Sequence, residues 1–228
     1  MVFLLPVSAR AEDTLWKLDF SKLTPGQALT GVPYEAPCAG PQKVTTDSDN
    51  TLVGAKAVGS LVSPLVFDKE TATHYTPSFT LKALNTITTG TITVNLDVLF
   101  DRISPSAVHP VETLMAFPFI NGQGGSDYIP VIACNGAAEL SLGAAGLTKG
   151  KTLLKFKVSE VAHIKAVLDL DNHTFQIFLN GVPYADAEHD DQKFSTFLGL
   201  TVRDGTALGG NNGATFTAGI ANLVVTHS

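Results

Sequence analysis

Between Thr91 and Asp101, Ile92, Val94, Leu96, Val98 and Phe100 fall on one side of an extended chain, and Thr93, Asn95, Asp97 and Asp101 on the other. A period of two does not suit a helix, whose faces repeat every 3.6 residues, so this stretch predicts a strand with one packed face. The other face meets solvent or a ligand. The pattern returns from Ile164 to Tyr184. There Leu168 and Leu170 precede a polar corner, Asp171-Asn172-His173, after which Phe175, Ile177 and Leu179 alternate and Asn180-Gly181 leads into Val182. Asn-Gly between apolar runs predicts a two-residue hairpin turn, because both central positions of that turn need positive φ. Asn172-His173-Thr174 also has the form of a glycosylation sequon. At a hairpin corner it reads as turn chemistry.

Further strands are expected at Leu15 to Phe20, Leu61 to Phe67, Ser78 to Leu84, Leu114 to Ile120, Tyr128 to Ala133, Leu153 to Val158, Phe197 to Val202 and Phe216 to Thr226. Clusters of Gly, Asn, Asp and Ser separate them, such as 121–127 and 205–213. No amphipathic helical period longer than about two turns interrupts the series. With 44% hydrophobic and 16% charged residues in 228, the chain has the composition of a core-forming protein. Many short strands without intervening helices predict an all-β fold, a two-sheet antiparallel β-sandwich. No repeat or linker divides the chain, so residues 12–228 are expected to form one domain.

The formal charge of -6 comes without a basic stripe, which argues against nucleic acid as a partner. No stretch approaches the roughly 18 apolar residues of a membrane span. Residues 1–11 read as the remnant of a secretory signal peptide, an apolar run with Pro6 followed by Ala9-Arg10-Ala11 as a small-x-small cleavage site. They also read as an ordinary apolar tail without a basic leading region. The first reading predicts a secreted, cell-surface or periplasmic protein beginning at Glu12. In such a compartment Cys38 and Cys134 form either one disulfide across a long loop or two small buried hydrophobes. Neither belongs to a Cys-x-x-Cys pair, which argues against metal binding through them.

The run from Ala162 to Val182 resembles the central hairpin of laminin-G-like and concanavalin A-like domains, where a strand ending in Asp is followed by one ending in Asn-Gly. Phe216 to Val225 is similar to their final strand, which pairs near the N-terminal strand, here Leu15 to Phe20. The resemblance implies a concanavalin A-like jelly roll. It implies no single activity, since lectins, carbohydrate-binding modules, glycoside hydrolases, polysaccharide lyases and adhesion modules share the architecture.

Glucanase-type members carry Glu-x-Asp-x-Glu on one strand. The nearest match here is Asn95, Asp97 and Leu99, so both glutamates are absent. Asp97 and Asp101 share a face, as solvated strand carboxylates commonly do. A lyase would need a Tyr or His base beside a neutralising Arg, Gln or His. Only Arg10, Arg102 and Arg203 are present, and His163, His173 and His189 are dispersed as surface or capping residues. His189-Asp190-Asp191 and Asp169 with Asp171 offer hard oxygen ligands for Ca²⁺, or read as a plain solvated acidic turn; no Asp-x-Asp-x-Asp-Gly loop occurs. For a glycan, Asp127 and Tyr128 after a Gly-rich loop, and Arg203-Asp204 leading to Asn211-Asn212, supply an aromatic ring and polar groups at loop ends. Asn211-Asn212 reads equally as a flexible connector. Trp16 is expected in the core. These readings favour a secreted, non-catalytic carbohydrate-binding or adhesion module that takes a polysaccharide or glycan as partner. The alternatives are a glycan-active hydrolase or lyase with an atypical site on the concave sheet, and a structural envelope protein.

Overall fold

The structure is a computed structural model. It describes residues 12–22, 24–26, 34–35, 43–46, 53–69, 78–105, 111–122, 126–127, 130–144, 154–189, 195–204 and 214–228. The signal-like residues 1–11 lie outside that set, as do Cys38, Tyr128, Asp190, Asp191, Asn211 and Asn212.

Strands β1 (Asp13–Leu18), β2 (Tyr34–Glu35), β3 (Lys43–Thr46), β4 (Val53–Gly54), β5 (Ala57–Val58), β6 (Leu61–Val62) and β7 (Leu65–Lys69) form the N-terminal part. The middle holds β8 (Ser78–Ile87), β9 (Thr91–Ser104), β10 (Val111–Ala116), β11 (Phe119–Ile120), β12 (Ser126–Asp127), β13 (Pro130–Asn135), β14 (Leu140–Ala144) and β15 (Leu154–Phe156). The C-terminal part holds β16 (Ala162–Asp169), β17 (Thr174–Leu179), β18 (Val182–His189), β19 (Phe197–Asp204) and β20 (Thr215–His227). One sheet runs β18-β17-β16-β9-β20-β1-β2, with β7 also on β20 and β4 on β7. The second runs β12-β11-β19-β10-β13-β14-β15, with β8 also on β19 and β3 on β8.

The apolar sides of these strands meet between the sheets, as the alternation requires. Ile92, Val94, Leu96, Val98 and Phe100 of β9 pack with Phe175, Ile177 and Leu179 of β17 and with Phe79, Leu114, Ile132, Leu142, Leu200 and Val202 of the opposite sheet. Trp16 is fully buried, its ring centroid 6.2 Å from that of Phe197. The last strand pairs with the first through Asp13↔His227 and Trp16↔Val225. The Asn180-Gly181 hairpin forms as expected: Leu179 stands opposite Val182, and the turn residues have φ of 50° and 81°.

Three expected strands are interrupted for local reasons. Leu61 to Phe67 divides into β6 and β7 at Ser63-Pro64, where Ser63 has φ 51° and its N–H donates to Lys56 O at 2.9 Å. Leu114 to Ile120 divides at Phe117-Pro118, since proline has no N–H for a ladder. The first strand ends at Leu18 because Asp19 accepts the Ser21 N–H at 3.0 Å, and Phe20–Lys22 wind into a 3₁₀ turn.

The polar side of β9 also carries Leu99, which is fully buried. The β5–β6 hairpin lies over it, and Val58, Leu61, Val66, Leu99 and Ala221 form a second apolar cluster. Gly59, with φ 53°, fits this approach closely: a Cβ there would lie 2.9 Å from Leu99 Cδ1. The hairpin therefore covers part of the outer face of the first sheet. It leaves the strands toward β17 open.

Candidate functional site

On that open part, four adjacent strands set their outward residues in register. Phe178 of β17 is opposite Lys165 of β16, Lys165 is opposite Asn95 of β9, and Asn95 is opposite Val224 of β20. One step along, His163 is opposite Asp97, and Asp97 is opposite Ala221. Between Ala221 and Val224 the last strand carries one residue more than its partner, a bulge in which Asn222 has φ 53°. The bulge turns the Asn222 side chain onto its neighbour, where Nδ2 donates to Asp97 Oδ2 at 2.6 Å. The other carboxylate oxygen, Oδ1, lies 2.5 Å from His163 Nδ1.

The imidazole is held from its backbone as well. His163 N–H donates to the Asn180 side-chain oxygen at 2.8 Å, and Asn180 N–H donates to His163 O at 2.8 Å. Both asparagines occupy left-handed backbone, which asparagine adopts more readily than most residues with a side chain. Asn95, Asp97, His163, Lys165, Phe178 and Asn222 line a cleft of about 520 Å³. Asp97 is 14% exposed and His163 67% exposed. The carboxylate is thus the sheltered member, and the ring faces the cleft with Nε2 available to a ligand. The Lys165 ammonium stands 5.6 Å from the Phe178 ring centroid. A partly apolar ring, two nitrogen-bearing side chains and an amide on one surface are groups that bind a polyhydroxylated ligand.

The arrangement is poorer as a hydrolytic centre. Glycoside hydrolysis of the usual kind needs two carboxyl groups about 5 to 9.5 Å apart. Asp101, the nearest acid along β9, is four residues beyond Asp97, roughly 13 Å at strand spacing, with the covered Leu99 between them.

Of the residues expected from sequence to bind a ligand, the described ones lie on other strands. Asp127 pairs through its backbone with Phe119, and Arg203 of β19 stands half-buried between Ser78 and Ala116, followed by Asp204 opposite Met115. All three belong to the second sheet. Tyr128, Asn211 and Asn212, which would have to join them, are outside the described residues. Of the metal-ligand set, His189 ends β18 with its backbone opposite Thr174, and Asp190 and Asp191 are outside the described residues. Asp169 serves its own turn: it accepts the N–H of Asp171 at 3.1 Å, the N–H of Asn172 at 2.9 Å and the Asn172 amide at 2.8 Å. Burial pushes its pKa up, but these bonds outweigh it and hold the carboxyl below its ordinary value. Among the described residues no three His, Cys, Asp or Glu side chains are grouped to hold a metal. Cys134 is buried on β13, and burial, with Glu112 nearby, raises its thiol to about 11. Its expected partner Cys38 is outside the described residues.

A second cleft, of about 410 Å³, lies along β14 and β15. Its charges satisfy one another, Lys155 with Glu139 at 3.5 Å and Lys157 with Glu160 at 3.5 Å. Local sequence marks His163 only as a surface or capping residue and does not single out Asn222. The only signal for either was the polar side of β9, because the pairing of β16 and β20 with that strand is not written in any local motif.

No protein-family model matches this chain, and no curated protein matches it by sequence. Solved structures do resemble it. A marine family 7 polysaccharide lyase from Zobellia galactanivorans, an alginate lyase, is 13% identical with a TM-score of 0.54, and the match covers 94% of this chain and 95% of that one. A sialidase is 10% identical with a TM-score of 0.52 over 82% of this chain, which spans 17% of that protein. The binding domain of botulinum neurotoxin serotype D is 8% identical with a TM-score of 0.52, covering 95% of this chain and 48% of that one. At such identities the likeness is one of fold.

Proposed function

We propose that this chain, a concanavalin A-like jelly-roll β-sandwich, is a non-catalytic glycan-binding module of a secreted or cell-surface protein, and that its glycan lies in the cleft across β17, β16, β9 and β20. The observation that carries the reading is the braced set Asn222–Asp97–His163 beside Lys165 and Phe178, which presents fixed hydrogen-bonding groups next to a ring face. Preorganised polar groups beside an apolar platform suit a sugar, which needs many directional bonds and one flat contact. Two of the similar structures are named as an alginate lyase and a sialidase, proteins that act on glycans. Asp97 is the one carboxylate among the described residues that line the cleft, which favours binding over hydrolysis. Export rests on the leader-like residues 1–11.

A second reading takes the same trio as a proton-transfer device, with Asp97 orienting His163 as a base. Incubation with a polysaccharide panel, followed by assay for shortened or unsaturated products, separates the two. The test of the first reading is binding to immobilised glycans, with and without calcium, by wild type and by Phe178→Ala and Asp97→Asn. Binding that both variants weaken supports it. No binding to any glycan sinks it and leaves a structural envelope protein.

A further inference from the structure

We infer that the cleft selects glycans whose rings carry an anionic substituent, a carboxylate or a sulfate, and that Lys165 is the residue that makes the selection; the inference rests on the glycan-binding reading of the same cleft. The charge inventory of the site leads there. The one carboxylate among its described lining residues, Asp97, is sheltered and already accepts from two groups, His163 Nδ1 through Oδ1 and Asn222 Nδ2 through Oδ2. Its charge is directed at the protein. The ammonium of Lys165, in contrast, is exposed, and its register partners on the two neighbouring strands, Asn95 and Phe178, are both uncharged. Among the described residues its partner is the Phe178 ring, and no carboxylate forms an ion pair with it. A lysine offers donors only, so what it takes from a ligand is an acceptor, and an anionic one is held more strongly than a hydroxyl. The Asn95 amide adds donors on the same side. The chain as a whole carries a formal charge of -6, so a cation left without a carboxylate on this face is a local departure from the surface around it.

Phe178 gives the cation its position. The ring draws the ammonium to the β17 end of the row, 5.6 Å from its centroid, beside the part of the ring left for a sugar to stack on. A pyranose lying on the exposed part of Phe178 would bring its ring substituent to Lys165 and its hydroxyls to Asn95 and His163.

The test uses the full chain and three probes of similar length: an oligogalacturonate, a sulfated galactan oligosaccharide and a neutral cello-oligosaccharide. Calorimetric titrations at low and moderate salt are run on wild type, Lys165→Gln, Lys165→Glu and, as a control on the other sheet, Lys155→Gln. At least one acidic probe should bind more tightly than the neutral one, with affinity that falls as salt rises. Lys165→Gln should weaken it about 1.5-fold to fivefold, the range of an exposed ion pair, and flatten the salt dependence. Lys165→Glu should weaken it further, and Lys155→Gln should leave it unchanged. Which acidic probe responds identifies the anion. If the neutral probe binds as well as the acidic ones, or Lys165→Gln leaves acidic binding intact, the selectivity inference is overturned while glycan binding stands. If none of the three binds, both fall. Circular dichroism of each variant shows that the sandwich is intact, as substitution of an exposed strand residue should leave it.

Discussion

The side chain of Asn222 reaches across from the last strand to the carboxylate of Asp97, Nδ2 to Oδ2 at 2.6 Å, from a backbone bulge in which its own φ is 53°. The bond and the backbone shape separate in two substitutions. Asn222→Gly keeps the left-handed conformation and loses the amide, so the fold should stay close to wild type while glycan affinity falls. Asn222→Ala loses the amide and adds strain of about 1 kcal/mol. For a chain of this size that lowers Tm by about 2–4 °C relative to the glycine variant. Thermal melts and titrations of the pair read the two effects independently.

Asn180 tests the support on the other side of His163. In Asn180→Gly the turn keeps its positive φ, but the His163 N–H loses its acceptor at 2.8 Å. A loss of about 0.5–1.5 kcal/mol is expected for that hydrogen bond. Equal unfolding midpoints in urea for variant and wild type would show that the bond contributes nothing.

Leu99 is the exception to the alternation on β9, and its burial depends on the β5–β6 hairpin. Leu99→Ala should cost about 2–5 kcal/mol, as core truncations do. Hydrogen exchange should show faster exchange at residues 57–62 in this variant, with the β16–β17 ladder little changed. Uniform acceleration across both would contradict a separate cluster.

Asp169 predicts an acid response with a definite sign. Its folded pKa is lower than its ordinary value, despite burial, because Asn172 and Asp171 donate to it. Its contribution to stability is therefore complete above the ordinary carboxylate pKa and is lost as pH falls below about 4 toward the folded value. Asp169→Asn should lower stability at pH 7 and narrow the difference from wild type at pH 3. A gap that widens in acid would refute the assignment.

Much of the architecture is legible in local sequence. Alternation along Thr91 to Asp101 fixes which side of β9 is buried, Asn180-Gly181 makes a hairpin because few other pairs tolerate two positive φ angles, and Trp16 is core because it sits in phase with buried neighbours. These features depend on the residue and its immediate neighbours. The breaks at Ser63-Pro64 and Phe117-Pro118 departed from the unbroken strands expected there: proline cannot continue a ladder, but apolar residues flank each break and carry the strand pattern across it.

The candidate site was not legible in this way. Asp97 and His163 are 66 residues apart, and Asp97 and Asn222 are 125 apart. Their meeting depends on β9 lying between β16 and β20 and on one extra residue in β20, and a shift of one position in either pairing would send a side chain to the other face. Leu99 shows the same division: its side of the strand follows from the period of two, but its burial follows from a hairpin about forty residues earlier that folds over it. The sequence by itself determined the strands, their buried sides and the tight turn, because those are set by the geometry of a few consecutive residues. Only the tertiary structure decided which polar sides stand together, because strand order and register arise from the packing of the whole sandwich.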